Sequence, residues 1–383
     1  MVYIQRVLEP AVLEYLTWFP VAGIAGPRQS GKSTILQHLL SDRYEYVTFD
    51  DHRTLELFSA NPEKFMRLDG DRVIFDKVQK APQIFNYIKL AVDRDRRKYG
   101  KFVLTGSSQF AVMRGVSETL AGRIGLLSLL PFQHSEVPNG LREESIFRGS
   151  YPELVTRKYH GAEDWYASYV DTYLSRDVRS VSNIGDLHDF RRCMQLLAVR
   201  TAQILNMSDL ARDIGVTVST MKKWVSVLEA SYVLFLLPPY YKNLGKRIVK
   251  SPKVYFHDTG LVSFFVGIDS KKEYEKGPMH GPLFENYIVS EVLKRELHRT
   301  TKSALHYYRT NHGVEVDLIV DRKSSRDLIE VKTTETFRPE MFRSIEQVLG
   351  KKDGGYLLYP GKSAKYSDAS KVLNYHGFLS EYS

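Results

Sequence analysis

The 383-residue sequence contains a single cysteine, Cys193. That excludes a disulfide framework within the chain and any cysteine-based metal site. The opening MVYIQRVLEP has no charged stretch leading into a long apolar core, so no signal peptide is expected. Long apolar runs are missing as well. The longest near a helix end, Tyr232 to Pro239, is too short to span a bilayer, and the expectation is a cytoplasmic protein with no membrane partner. No repeat or low-complexity tract stands out. Acid is in short supply: 45 Asp and Glu face 54 Lys and Arg, for a net charge of +9 and a pI near 9.2. This balance suits nucleic acid or another anionic surface, the alternative being a soluble protein that is merely basic. A hydrophobic content of 43% against 26% charged excludes disorder. The length favours two or three domains over one core.

Residues 20 to 132 alternate short apolar runs (VAGIAG, YEYVTFD, RVIFD, KFVLTG) with amphipathic stretches, the rhythm of a parallel sheet covered by helices. Residues 150 to 235 read as mostly helical, followed by two strand-like runs, VLFLLPP and KVYFHD. From Gly281 onward the order is a helix, LHYYRT, VEVDLIV, LIEVKT, another helix and GYLLYP, an α/β unit of its own. The expected division is residues 1–140, 141–275 and 276–383.

Gly26, Pro27, Arg28, Gln29, Ser30, Gly31, Lys32, Ser33 and Thr34 match the phosphate-loop pattern G-x-x-x-x-G-K-[ST] between a strand candidate and a helical pattern. Glycines let the backbone turn its N–H groups inward, and the helix N-terminus adds positive potential. Lys32 is expected at the β- and γ-phosphates of ATP, and Ser33 at Mg2+. In VIFDKVQ, an apolar strand then delivers Asp76 beside the loop as a second Mg2+ ligand, acting through the ion's water shell. The next residue is Lys77, where a nucleotide hydrolase usually has an acid to polarise the attacking water; an ammonium cannot accept that proton. Three readings stay open. Lys77 binds the γ-phosphate in a slowly turning-over complex; Asp50 or Asp51 substitutes for the acid; or Lys77 is an inactivating replacement. Thr105, Ser107 and Ser108 end a further strand and are candidates for sensing γ-phosphate. Arg123 is a candidate charge-stabilising arginine, in cis or toward a neighbouring subunit, the alternative being a solvated or salt-bridged arginine.

GPRQSGKST, VIFDKVQKAP, LTGSSQF, SETLAGRI and LLPF, in this order, resemble the AAA-like ATPases of bacteria and archaea that carry a C-terminal domain of unknown function. GSYPELV, WYASYVDTYLSRDV, LLAVRTAQILN, LEASYVLFLLPPY, KSPKVYFHDTGL and GPLFENYIVSEVLK extend the resemblance over nearly the whole chain. It implies an AAA-type ATPase core using ATP and Mg2+, and a homo-oligomer, with a hexameric ring as the form it suggests. Lys77 departs from the family's acidic partner, which bears on hydrolysis rather than on nucleotide binding.

Ser208 to Gly215 followed by Val216 to Leu228 reads as helix, turn, helix, with Ser208 as first cap, Gly215 at the turn and Thr217 or Ser219 as second cap. With a strand pair this becomes a winged helix, whose candidate readers are Thr220, Lys222 and Lys223. The segment YKNLGKRIVKSPK then carries Lys242, Lys246, Arg247, Lys250 and Lys253 with no acid, next to Tyr240 and Tyr241. It is a footprint for duplex or branched DNA, or else a solvated face or subunit contact.

In FENYIVSEVLKREL, Glu285 falls on an apolar helical stripe with Ile288, Val289 and Val292, which is costly for a carboxylate unless something binds it. Asp317 lies in VEVDLIV. Glu330 and Lys332 lie two apart in LIEVKT, on one face of a strand, and the turn DRKSSRD folds the two strands so that Asp317 neighbours Glu330. Asp, Glu-x-Lys and an upstream helical Glu resemble the restriction-endonuclease-like (PD-(D/E)xK) nuclease fold. Glu285, Asp317 and Glu330 would then hold Mg2+ and Lys332 would orient water. The alternatives are a nuclease-like platform whose Lys332 is salt-bridged to a carboxylate, or an unrelated α/β domain. His134, His257 and His280 read as isolated packing or surface residues.

The expected fold class is therefore α/β: an AAA-like P-loop NTPase parallel sheet, a helical and winged-helix middle segment, and a restriction-endonuclease-like C-terminal domain. The expected activity is ATP-driven binding and processing of DNA, the alternatives being an ATP-regulated, Mg2+-dependent nuclease and a nucleotide-gated scaffold for protein partners.

Overall fold

The computed structural model describes residues 3–68, 72–106, 119–173, 187–240, 251–299 and 303–381. The chain forms two compact units. One is Met1–Phe132 with the short segments Ala230–Tyr232 and Leu297–Thr300, and the other is the remainder.

In the first unit, β1 (Val21–Ala25), β2 (Glu45–Thr48), β3 (Val73–Asp76), β4 (Phe102–Gly106) and β5 (Ile124–Ser128) form a parallel sheet in the order β2-β3-β4-β1-β5. The central strands are buried along their whole length, as helices on both faces require. Alternate side chains feed two cores. Val21, Val73, Phe75, Phe102 and Leu104 pack with Phe49, Phe58 and Phe65 under the helices His52–Ala60, Pro62–Leu68 and Ile84–Arg94. Ile24, Ile74, Val103 and Leu127 pack with Leu8, Val12, Ile35 and Leu36 under Glu9–Trp18 and Lys32–Leu40. The four strands expected here are present. The edge strand β5 was not anticipated, because IGLLS follows directly on the polar SETLAGR.

In the second unit, helices fill residues 142–173 and 187–230. The helices Met207–Ile214 and Val218–Ala230 are joined at Gly215, whose φ of 88° is the left-handed geometry expected of the turn. The cap of the first is Asn206, accepting from the amides of Ser208 and Asp209, rather than Ser208 itself. Thr217 accepts from the Thr220 amide, as expected of the second cap. An antiparallel pair follows, β6 (Leu234–Leu237) with β7 (Lys253–Phe256). Beyond it lie the helix His280–His298 and a six-stranded mixed sheet in the order β12-β13-β11-β10-β9-β8: β8 (Ala304–Arg309), β9 (Glu315–Asp321), β10 (Arg326–Val331), β11 (Gly354–Tyr359), β12 (Ala364–Lys365) and β13 (Ser370–Asn374). Among the described residues no helix is long and apolar enough to cross a membrane.

Phe75 is fully buried against Phe49, Phe65 and Phe102, one residue before Asp76. Truncation there both opens a cavity and loosens the strand end. Phe75→Ala is expected to destabilise the first unit by about 3–5 kcal/mol, read by urea denaturation.

Candidate functional site

The phosphate-loop residues sit at the carboxyl end of β1. Gly26 has a φ of 151°, and a Cβ there would lie 2.1 Å from the Leu129 carbonyl oxygen, so only glycine fits. Gln29 (φ 62°) and Gly31 (φ 91°) adopt left-handed geometry and curl the loop. The helix Lys32–Leu40 starts at Gly31 without a side-chain cap, which leaves its first amides to an anion. The buried Lys32 ammonium donates to the carbonyls of Gly26 (2.9 Å) and Pro27 (2.6 Å) inside the loop.

Register brings the rest together. β3 is separated from β1 by β4, and Asp76 pairs with Thr105 at the strand ends. Ser33 Oγ donates to Asp76 Oδ2 at 3.3 Å, and Tyr46 OH donates to the same oxygen at 2.8 Å. Asp76 is 4% exposed, and its Oδ1 is buried with no hydrogen-bond partner among the described residues; neither has Thr105 Oγ1. A buried carboxylate oxygen left open beside a serine hydroxyl fits a divalent cation, so Ser33 and Asp76 are the residues that would hold Mg2+. Tyr46 went unnoticed in the sequence. Its signal is the alternation of YEYVT, which places it on the same strand face as Thr48. Burial first, and then the Asp76 charge, hold its hydroxyl above the ordinary tyrosine range.

Lys77 has left-handed backbone (φ 59°, ψ 40°) and opens the short 3-10 turn Val78–Lys80. Neither candidate substitute acid is available. Asp50 is in an ion pair with Lys80 at 2.6 Å. Burial alone would raise the Asp50 carboxyl, but Lys80, then Lys77 and Arg28, outweigh it and hold it below the ordinary range. Asp51 caps the helix His52–Ala60, accepting from the Arg53 amide and the Thr54 hydroxyl. Arg123 is not brought to the loop of its own chain. It precedes β5 at the opposite end of the sheet, where its guanidinium grips Asp93 through Nε (2.9 Å) and NH2 (3.0 Å). Ser107 and Ser108 lie outside the described residues.

In the second unit Glu285, Asp317, Glu330 and Lys332 are brought together, but not as a metal centre. Among the described residues no group of three or more His, Cys, Asp or Glu is arranged to hold a metal ion. The reason is Lys253, read from sequence as part of a basic surface and found buried. Its ammonium lies 3.0 Å from Glu285 Oε1, 2.8 Å from Glu315 Oε1 and 3.8 Å from Asp317 Oδ1. Tyr255 OH donates to Glu285 Oε1 at 2.6 Å, which answers what binds the helical carboxylate. Asp317 Oδ2 accepts from the Val331 amide at 2.9 Å, and Lys332 donates to Glu330 Oε1 at 2.5 Å. Glu330 Oε2 is buried without a partner among the described residues. Burial, then the Asp317 charge, push Glu285 up to about 7 and Glu330 up to about 8 against the pull of their lysines. Burial works against the Lys253 charge, but Glu285, Asp317 and Glu315 hold its ammonium above the ordinary range.

Of the expected DNA readers, Lys222 and Lys223 are exposed on the helix Val218–Ala230, and the half-buried Thr220 shares its hydroxyl with Thr217 at 2.9 Å. Lys242, Lys246, Arg247 and Lys250 lie outside the described residues. His134 is not isolated: it is buried, with Nδ1 2.7 Å from Tyr287 OH and Nε2 3.1 Å from His376. His257 and His280 make packing contacts with Phe235 and Tyr274, as expected.

A carboxyl whose folded pKa is raised takes up a proton on folding, so its contribution to stability is lost as pH rises from the ordinary carboxylate range through the folded value. For Glu330 that window runs from near 4.5 to about 8. Glu330→Gln mimics the protonated form. It is expected to flatten the loss and to exceed the natural protein in stability by about 1 kcal/mol above pH 8, read by urea denaturation at pH 6 and pH 9.

Residues 139–272 match the family model of a domain of unknown function, DUF8612, and residues 280–378 that of another, DUF4143. Uncharacterised proteins of Mycobacterium tuberculosis and Mycobacterium bovis are each 29% identical over 332 residues, 86% of this chain and 74% of theirs. Similar solved structures include the Walker-type ATPase PABY2304 of Pyrococcus abyssi, with a TM-score of 0.47 and 13% identity over 69% of this chain and 96% of that one. The Holliday junction branch migration motor RuvB of Thermotoga maritima has a TM-score of 0.31 and 16% identity over 60% and 87%. Residues 19–138 match the model of an AAA domain, over the stretch that carries the curled loop, the parallel sheet and Asp76: this part of the chain is an AAA-type, P-loop ATPase-like domain.

Proposed function

We propose that the protein binds ATP with Mg2+, hydrolyses it slowly, and uses the nucleotide state to hold and process duplex or branched DNA as a homo-oligomer. The observation that carries the nucleotide reading is the open, buried oxygen of Asp76 beside Ser33, next to a loop into which Lys32 folds its ammonium. In this reading Lys32 leaves the loop carbonyls for the phosphates, Ser33 and Asp76 orient the cation, and Tyr46 fixes the Asp76 carboxylate. The Mg2+ ion supplies charge neutralisation on the phosphate oxygens. Among the described residues, the two acids that could stand in for one at Lys77, Asp50 and Asp51, are both engaged and do not polarise the attacking water, so turnover is slow. With Arg123 held by Asp93, a stabilising cation comes from Lys77 or from a neighbouring subunit, which supports an oligomer and leaves a hexameric ring as one form.

The DNA part is supported by the two helices joined at Gly215, the β6–β7 pair that completes a winged-helix outline, and exposed Lys222 and Lys223. The division of labour follows 1–140 for ATP, 141–275 for DNA and 276–383 as a nuclease-like platform. The Mg2+-dependent nuclease reading is disfavoured by the Lys253 ammonium standing among its acids.

Binding of labelled duplex and four-way DNA across a salt series tests the reading. Affinity should fall steeply with salt, and Lys222→Ala with Lys223→Ala should weaken it about tenfold and reduce the salt slope by about two. Absence of binding at low salt contradicts it. Lys77→Glu should raise ATP turnover by about tenfold or more; unchanged turnover would show that the missing acid does not limit the rate.

A further inference from the structure

The segment before the helix Glu9–Trp18 is folded back on itself. Arg6 and Glu9 close a turn reciprocally: the Glu9 amide donates to the Arg6 carbonyl at 3.1 Å, and the Arg6 amide donates to Glu9 Oε1 at 2.8 Å. Tyr3 OH donates to the same carboxylate oxygen at 2.8 Å, and its ring stacks on His38 of the helix Lys32–Leu40, with 3.8 Å between ring centres. Backbone and Glu9 set this turn, which leaves the Arg6 side chain to act elsewhere. It runs inward: Arg6 is 4% exposed, with its guanidinium 4.8 Å from the centre of the Phe132 ring. A cation so buried needs acceptors, and its fork meets two backbone carbonyls, Ser30 through Nη1 and Leu130 through Nη2, both at 2.8 Å.

Ser30 lies in the phosphate loop beside Gly31, and Leu130 lies two residues after β5. The segment leaving β5 already meets the start of the loop. The Leu129 amide donates to the Ala25 carbonyl at 2.8 Å, and Gly26 comes so close to the Leu129 carbonyl that a Cβ has no room. One guanidinium thus ties the later half of the loop to the segment that grips its first residue. The direction it imposes follows from the peptide plane. Among the described residues there is no cis peptide bond, and in a trans peptide the carbonyl and the N–H point in opposite directions. Holding the Ser30 carbonyl toward Arg6 turns the Gly31 N–H away from it, and that amide has no hydrogen-bond partner among the described residues. Gly31, at a φ of 91° and without a side chain, gives the peptide plane little resistance of its own to rotation.

We propose that Arg6 is a positioning residue for the phosphate loop: through the Ser30 carbonyl it aims the Gly31 amide at the phosphate group that the loop receives. The proposal rests on the nucleotide reading for the identity of the ligand, and on the hydrogen bonds alone for the brace. Lys32 and Arg6 then have complementary parts. Lys32 holds the carbonyls of Gly26 and Pro27 and leaves them for phosphate, whereas Arg6 holds those of Ser30 and Leu130 and stays when the ligand enters. Only a fork of two donors spans both of its carbonyls; an ammonium meets one.

The test compares the full-length natural chain with Arg6→Met, which keeps the apolar bulk and removes both donors, and with Arg6→Lys, which keeps one. Hydrogen exchange is read first, by mass spectrometry on nucleotide-free protein. Arg6→Met is expected to speed exchange of peptides covering residues 26–34 about tenfold, with Arg6→Lys intermediate and the β3 and β4 peptides unchanged. Titration with Mg·ATP is read second: affinity is expected to fall about tenfold in Arg6→Met and less in Arg6→Lys. Natural exchange in the loop of a folded Arg6→Met chain, or natural affinity with a loosened loop, overturns the proposal. Equal loosening of the loop and of β3 and β4 overturns it too, because that is what a merely structural arginine gives. If Arg6→Met does not fold, Arg6→Lys against the natural chain carries the same outcomes. The exchange arm contains no nucleotide. A natural chain that ignores Mg·ATP therefore sinks the nucleotide reading while exchange still decides the brace. A loop unchanged by Arg6→Met sinks the brace while ATP binding by the natural chain stands.

Discussion

A carboxylate buried at the end of a strand must meet a cation or a set of donors, because leaving it uncompensated costs several kcal/mol. Both units are arranged around that constraint and meet it in opposite ways. Asp76 is partly met, by Tyr46 and Ser33 on one oxygen, while its other oxygen stays open. The acids of the second unit are met from within, by Lys253 and Lys332. The first arrangement anticipates an exchangeable cation and the second carries its own.

That contrast explains why similar sequence signals have different standing. Asp76 and Lys32 were legible because a phosphate loop is local: its glycines and lysine are contiguous, and the strand before Asp76 is continuously apolar. Thr105 was legible too, as the polar end of an apolar strand. Tyr46 was not: it comes from a strand 30 residues before Asp76, and only the order β2-β3-β4-β1-β5 brings it alongside. For Arg123 the sequence left a charge-stabilising role and a salt bridge both open; β5 runs parallel to β1 and starts at the opposite end of the sheet from the loop, where Asp93 takes the guanidinium.

In the second unit the helix–turn–helix, the strand pair and the run from β8 to β11 follow from periodicity and turn chemistry, while β13 was hidden in a polar tail segment, DASKVLN. Lys253 shows the limit most clearly. It closes a segment with five basic residues and no acid, so composition assigns it to the surface. Yet it also begins KVYF, a strand buried at every position. A charge count along the chain cannot see that the facing acids, Glu285, Glu315 and Asp317, arrive 32 to 64 residues later. The buried polar links around His134, Tyr287 and His376 are of the same kind, made by elements distant in sequence.

Function in this account follows from which cations are fixed and which are exchangeable. Lys80 and Lys253 are fixed cations, paired with Asp50 and with Glu315. In the proposed function Asp76 is the exchangeable position, where ligand energy enters the molecule. The most direct test is titration calorimetry of the intact chain with Mg·ATP. The account predicts a single binding event for the natural sequence that Lys32→Ala weakens about a hundredfold and that removal of Mg2+ with EDTA also weakens. Equal heats for the natural chain and Lys32→Ala, with no dependence on Mg2+, would contradict it.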